Sequence, residues 1–190
     1  MKNSEFTQAG FESTFEKVFI LNEPIGYLFT SSIPKRALIF PTLTMLTENY
    51  MLAIMKALIA VHDEGFYVST LPRWGFPDVC VRHWYIQKEN WREYFNIGWL
   101  GVAENVMLSP SGLWGVSMFL DESGIIGGSD DFMDVLEVEL PNLNNSAIEY
   151  VKHIKRQPTY FRGGELESLN VVFLSHIFGD EYAKVLMETK

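Results

Sequence analysis

The chain has 190 residues, 47% of them hydrophobic and 14% aromatic, with 24 acids against 15 bases and a formal charge of −9. That composition excludes a disordered chain, allows one domain with a substantial core, and opposes binding to nucleic acid or anionic lipid. The lone cysteine, Cys80, excludes an intramolecular disulfide.

The start, Met1-Lys2-Asn3-Ser4-Glu5, lacks the basic segment and apolar run of a secretory signal, so a cytoplasmic location is expected. Phe11, Phe15, Val18 and Phe19 then recur at helical spacing, with Glu12 and Glu16 opposite, and predict an amphipathic helix. Asn22 to Thr30 and Ala37 to Phe40 are short apolar pieces broken by Pro24, Gly26, Pro34 and Pro41, which suits edge strands or turns. From Thr47, a suitable N-cap, Met51, Ile54, Met55, Leu58 and Val61 trace a helix ending near Gly65. Ala53, Ala57, Ile59 and Ala60 widen its apolar surface, so it is expected to be the central buried helix. Pro41, Glu48 and Lys56 interrupt this greasiest stretch, and no run reaches the roughly 18 residues of a membrane-spanning helix.

Phe66 to Leu71, Asp78 to Gln87, Leu100 to Leu108 and Leu113 to Leu120 read as strands, the last two joined as a hairpin through Ser109-Pro110-Ser111-Gly112. Gly124 to Ser129 reads as the end of a hairpin leading into a capped helix. The two acids that follow, Asp130 and Asp131, suit a helix N-terminus and would repel a phosphate. Over Leu136 to Leu140, helical and alternating patterns compete. Glu137 and Glu139 would sit at the unfavourable end of a helix dipole, which favours a short helix turning into a strand before Pro141. Ser146 with Glu149 reads as a capping box opening a helix through Ile148, Val151 and Ile154. Leu166, Leu169, Phe173 and Ile177 describe another helix, stopped by Gly179, and Asp180 begins a last one. The expectation is a single α+β domain over residues 1–190, with a mostly antiparallel central sheet and helices at both ends of the chain.

The charge is regional. Between Glu93 and Val151 there are ten acids and no lysine or arginine, so this stretch is −10, while the remainder has 14 acids against all 15 bases and is +1. A segment so polarised attracts basic partners. The expected partner-binding residues are Asp121, Glu122, Asp130, Asp131, Asp134 and Glu137. Arg73 and Trp74 join them from a turn-rich loop, being residue types favoured as binding anchors when exposed. The basic cluster of Lys152, His153, Lys155, Arg156 and Arg162 is expected to pair with the chain's own acids.

No catalytic set emerges. On a strand, Cys80 and His83 point to opposite faces, so they make a poor dyad. His62, His153 and His176 lack metal-ligand spacing and are expected at helix ends or on the surface. No calcium loop occurs, so no metal or cofactor is expected.

Ser111-Gly112-Leu113-Trp114-Gly115-Val116, a short hairpin, and Gly127-Gly128-Ser129-Asp130-Asp131-Phe132 together resemble segments of small bacterial immunity proteins that neutralise polymorphic toxins. The resemblance covers only these short pieces. It implies a cytoplasmic, non-catalytic inhibitor and transfers no individual binding residue. It agrees with the charge argument, since an acidic face speeds docking to a basic toxin. The leading expectation is therefore a non-catalytic, immunity-type protein using an acidic face to bind a basic partner. The alternative is a small-molecule-binding protein or enzyme with a pocket lined by the central aromatics and a carboxylate as acid or base. A third reading is a self-associating structural subunit.

Overall fold

The computed structural model describes residues 8–22, 25–42, 44–71, 82–98, 100–101, 103–119, 122–156 and 165–188. Helix α1 (Gln8–Val18) leads into a two-stranded ribbon of β1 (Phe19–Asn22) and β2 (Gly26–Phe29). Edge strand β3 (Lys35–Ile39) and helix α2 (Glu48–Ala60) follow. The strands β4 (Gly65–Thr70), β5 (His83–Gln87), β6 (Asn105–Leu108), β7 (Trp114–Met118) and β8 (Gly124–Gly128) come next, with a 3-10 segment, Lys88–Asn96, after β5. Helix α3 (Asp130–Glu139), a 3-10 turn (Leu143–Asn145) and helices α4 (Ser146–Arg156), α5 (Glu165–Phe178) and α6 (Asp180–Glu188) complete the order. The mixed α+β class is as expected, with helices at both ends of the chain.

Six strands form one antiparallel sheet in the order β3-β8-β7-β6-β4-β5. Because successive side chains on a strand point to opposite faces, each strand divides its apolar residues between two cores. Ala37, Ile39, Phe66, Val68, Met107, Val116 and Ile126 face α2, α3 and the Trp91–Tyr94 segment. Leu38, Val106, Leu108 and Ile125 face α1, the ribbon and the three C-terminal helices. The sheet is thus covered on both sides. After α3 the chain passes round β3 to the opposite face, bringing the Leu143–Asn145 turn and α4 against that edge. A covered edge strand has fewer free backbone groups to pair with another chain.

One local expectation is extended and two are corrected. Gly124–Gly128, expected as the end of a hairpin leading into a capped helix, is that and more, a full strand paired with both β3 and β7. Its glycines serve close packing: a Cβ on Gly128 would lie 2.7 Å from the Phe132 ring, which stacks on Trp114 with centroids 5.0 Å apart. Second, α3 stays helical to Glu139, because Phe132, Met133 and Leu136 share one buried face. Burying such side chains contributes about 1.5–3 kcal/mol each, more than the roughly 0.2–0.5 kcal/mol of each like-charge neighbour. Third, Ser146 is helical (φ −58°, ψ −33°) and follows a 3-10 turn, so it does not cap α4. Thr47 does precede α2, but its side chain makes no capping hydrogen bond.

Candidate functional site

Ser129 caps the N-terminus of helix α3, its side chain accepting a hydrogen bond from the Phe132 backbone N–H. With Phe132, Met133 and Leu136 turned inward, helical geometry turns Asp130, Asp131, Asp134, Glu137 and Val138 outward, and all five are exposed. Four of the expected partner-binding acids therefore share one surface. Lys35 reaches them from β3, with its Nζ 2.5 Å from Asp134 and 3.3 Å from Asp130. The hydrogen bond to Asp134, supported by Asp130, raises the lysine's pKa. Asp131 and Glu137 have no ion-pair partner among the described residues.

Glu122 does not join this group. It lies in the β7–β8 turn with φ 66°, its carbonyl accepting from the Thr42 N–H at 2.8 Å. Strand β8 separates it from the start of α3, roughly 17 Å at the usual rise per residue. Asp121, Arg73 and Trp74 lie outside the described residues, as do Cys80 and Arg162 of the basic cluster.

Helix α2 packs alongside α3 and adds apolar surface to the same side. Leu52 and Ile59 are 42% and 63% exposed, and Val138 of α3 is 78% exposed. Lys56, between the two α2 residues, pairs with Glu139 at 2.6 Å, and Arg92 pairs with Glu48 at 3.2 Å. Six carboxylates (Glu48, Asp130, Asp131, Asp134, Glu137, Glu139) thus meet three cations (Lys35, Lys56, Arg92), and these side chains sum to −3. Sequence reasoning assigned Ile59 to the core and overlooked Leu52 and Val138. Their signal was an apolar residue at an outward helical position, visible only once the buried stripes are known.

Where α3 ends and the chain turns round β3, there is an open cleft of about 360 Å³. Phe40, Tyr50, Leu140 and Pro141 supply apolar walls, and Glu139 and Glu149 bring carboxylates to it. Burial raises the pKa of the Tyr50 phenol, which hydrogen-bonds the Ser146 side chain. Lys152 pairs with Glu149 at 3.0 Å, so this member of the basic cluster does meet an acid of its own chain.

Among the described residues, several of the central aromatics that the alternative reading places around a pocket are packed into the core. Trp114 has no exposed surface, Phe66 likewise, and Trp84 packs against the same core. The indole N–H of Trp114 donates to Asp63 at 2.9 Å, and Ser109 donates to the same oxygen at 2.6 Å. Asp63 thereby anchors the β6–β7 turn to the end of α2. Ser69 and His83 also meet, Oγ to Nδ1 at 2.8 Å, but Ser69 has no exposed surface and offers no attack path. Burial lowers the His83 pKa, opposed by the charge of Glu12.

His176 lies in the last turn of α5, one of the expected helix-end positions, but it is half-buried and hydrogen-bonded. Its Nε2 accepts the Phe29 N–H at 3.0 Å, and its carbonyl accepts from Arg36 at 2.6 Å. Burial, with help from the Arg36 charge, lowers the ring's pKa to about 4. The described residues contain no group of three or more metal-ligating side chains and no helix long and apolar enough to cross a membrane.

Comparison with protein-family models, curated proteins and solved structures found no match. The site's own chemistry must therefore carry the functional reading. Exposed carboxylates around apolar side chains provide steering charge and desolvatable contact area together, the two ingredients of a protein-docking surface.

Proposed function

We propose that this protein binds a basic protein through the outward face of α2 and α3, as a non-catalytic inhibitor of the immunity type acting in a bacterial cytoplasm. The observation that carries the reading is the placement of Asp131 and Glu137, exposed and without ion-pair partners among the described residues, beside the exposed Val138. Unpaired acids add to the field felt by an approaching cation, and apolar groups within the same surface gain from burial when it is covered. The short resemblance contributes less, because Trp114 and Phe132 from its two pieces stack inside the core.

The test is affinity capture from the source cells with the wild-type protein and an Asp131→Lys, Glu137→Lys double variant in parallel, at low and high salt. A basic protein retained by the wild type at low salt and lost by the variant supports the reading. The same captured set on both baits contradicts it.

A further inference from the structure

We infer that the cleft at the C-terminal end of α3 receives a basic side chain of the partner, with arginine the best fit. The inference rests on the basic-partner reading and adds a specific anchor to it. At about 360 Å³ the cleft lies near the small end of ligand-sized sites, and one long side chain fits such a space. Phe40, Tyr50 and Leu140 offer apolar and aromatic walls to an alkyl stem and to a planar cation. Two carboxylates then select charge. Lys56 holds Glu139 through Oε2, and Lys152 holds Glu149 through Oε1. Among the described residues, nothing donates to the remaining oxygen of either.

Helices α2 and α4 both begin at this cleft, and bare helix N-termini would favour an anion. Glu48 and Glu149, in their first turns, answer those dipoles, and Glu139 adds a third negative group. No cationic residue lines the cleft itself, since Lys56 and Lys152 reach its two carboxylates from outside the lining. A guanidinium supplies several donors in a planar fork suited to carboxylates, and its face stacks on aromatic rings.

The experiment titrates full-length protein, observed by two-dimensional amide NMR, with N-acetyl-arginine methylamide, its uncharged citrulline isostere and free arginine. Shifts centred on Tyr50 and the Leu140–Ser146 segment are expected with the capped arginine. The citrulline probe should bind about tenfold more weakly, and Glu139→Gln with Glu149→Gln should weaken the arginine probe by a similar factor. Equal binding of the two capped probes, shifts confined to the Asp130–Glu137 surface, or no binding would each overturn the inference. Free arginine binding at least tenfold more tightly than the capped form would assign the cleft to a small molecule and also overturn it. Loss of partner capture in the Asp131→Lys, Glu137→Lys variant while the arginine probe fails would remove the cleft anchor and leave the docking face standing.

Discussion

Lys35, on the edge strand β3, spans Asp130 and Asp134 one turn apart on α3, so the only cation among these three side chains comes from outside the lysine-free region. The fold thereby reduces the charge of its most acidic helix at one side and leaves Asp131 and Glu137 to act outward. All three partners in this ion-pair cluster are solvent-exposed to a large degree, and exposed pairs of this kind contribute little to stability. The arrangement bears on association more than on folding.

Removing the lysine should therefore change recognition. For Lys35→Ala, the association rate with the basic partner should rise by roughly two- to threefold at low ionic strength, because one opposing charge is gone. The thermal midpoint should stay close to that of the wild type. Stopped-flow mixing with the purified partner checks the rate, and a fall in rate would show that Lys35 itself contacts the partner.

Asp63 is buried, and its Oδ2 accepts from both Ser109 and Trp114. Asp63→Ala leaves two buried donors without that acceptor, and each such loss costs on the order of 1–3 kcal/mol. A total destabilisation of about 2–6 kcal/mol is expected from urea denaturation, with Asp63→Asn costing less because it keeps an acceptor oxygen. Equal effects of the two substitutions would show that the hydrogen bonds contribute little.

His176 makes stability pH-dependent. Its folded pKa of about 4 lies below the ordinary histidine value of roughly 6.5, so between these values the unfolded chain binds more protons. The stabilising contribution is complete above the unfolded pKa and is lost as pH falls toward the folded one. Full burial would make a shift of this size worth about 3 kcal/mol. With the ring half exposed, about 1–2 kcal/mol is the expected loss between pH 7 and pH 4. Urea midpoints at the two pH values, compared with His176→Gln, isolate it: the variant should show the smaller pH dependence. Parallel curves would remove His176 from the account.

Gly128 permits the Trp114–Phe132 stack. In Gly128→Ala the new Cβ would meet Phe132 at 2.7 Å and Trp114 at 3.0 Å, and overpacking of this kind costs about 1–3 kcal/mol. Near-ultraviolet circular dichroism should report the disturbed aromatic pair, and an unchanged spectrum with unchanged stability would contradict the packing described.

The periodic elements were legible because their signals were local. Met51, Ile54 and Leu58 marked α2, Phe173 and Ile177 marked α5, and Gly179, with φ 83°, ended α5 as its sequence position suggested. What was missed is local chemistry overruled by distant partners. Gly124–Gly128 has the composition of a turn, yet backbone pairing to β3 and β7 on both sides makes it a strand. Glu139 looks misplaced at a helix C-terminus until Lys56, 83 positions away, is seen to pair with it. The acidic surface was readable as a charge asymmetry and as a stripe at Asp130, Asp134 and Glu137. Its pairing with Lys35 and the exposure of Leu52, Ile59 and Val138 were not, since both depend on how α2, α3 and β3 lie together.

The measurement that tests the central claim most directly is the association rate of the purified basic partner with wild type and with Asp131→Lys, Glu137→Lys over a series of salt concentrations. The account predicts that the variant associates about tenfold or more slowly at low salt, with a flatter salt dependence and a native circular dichroism spectrum. Superimposable salt curves for the two proteins would contradict it, because the outward face of α3 would then play no part in recognition.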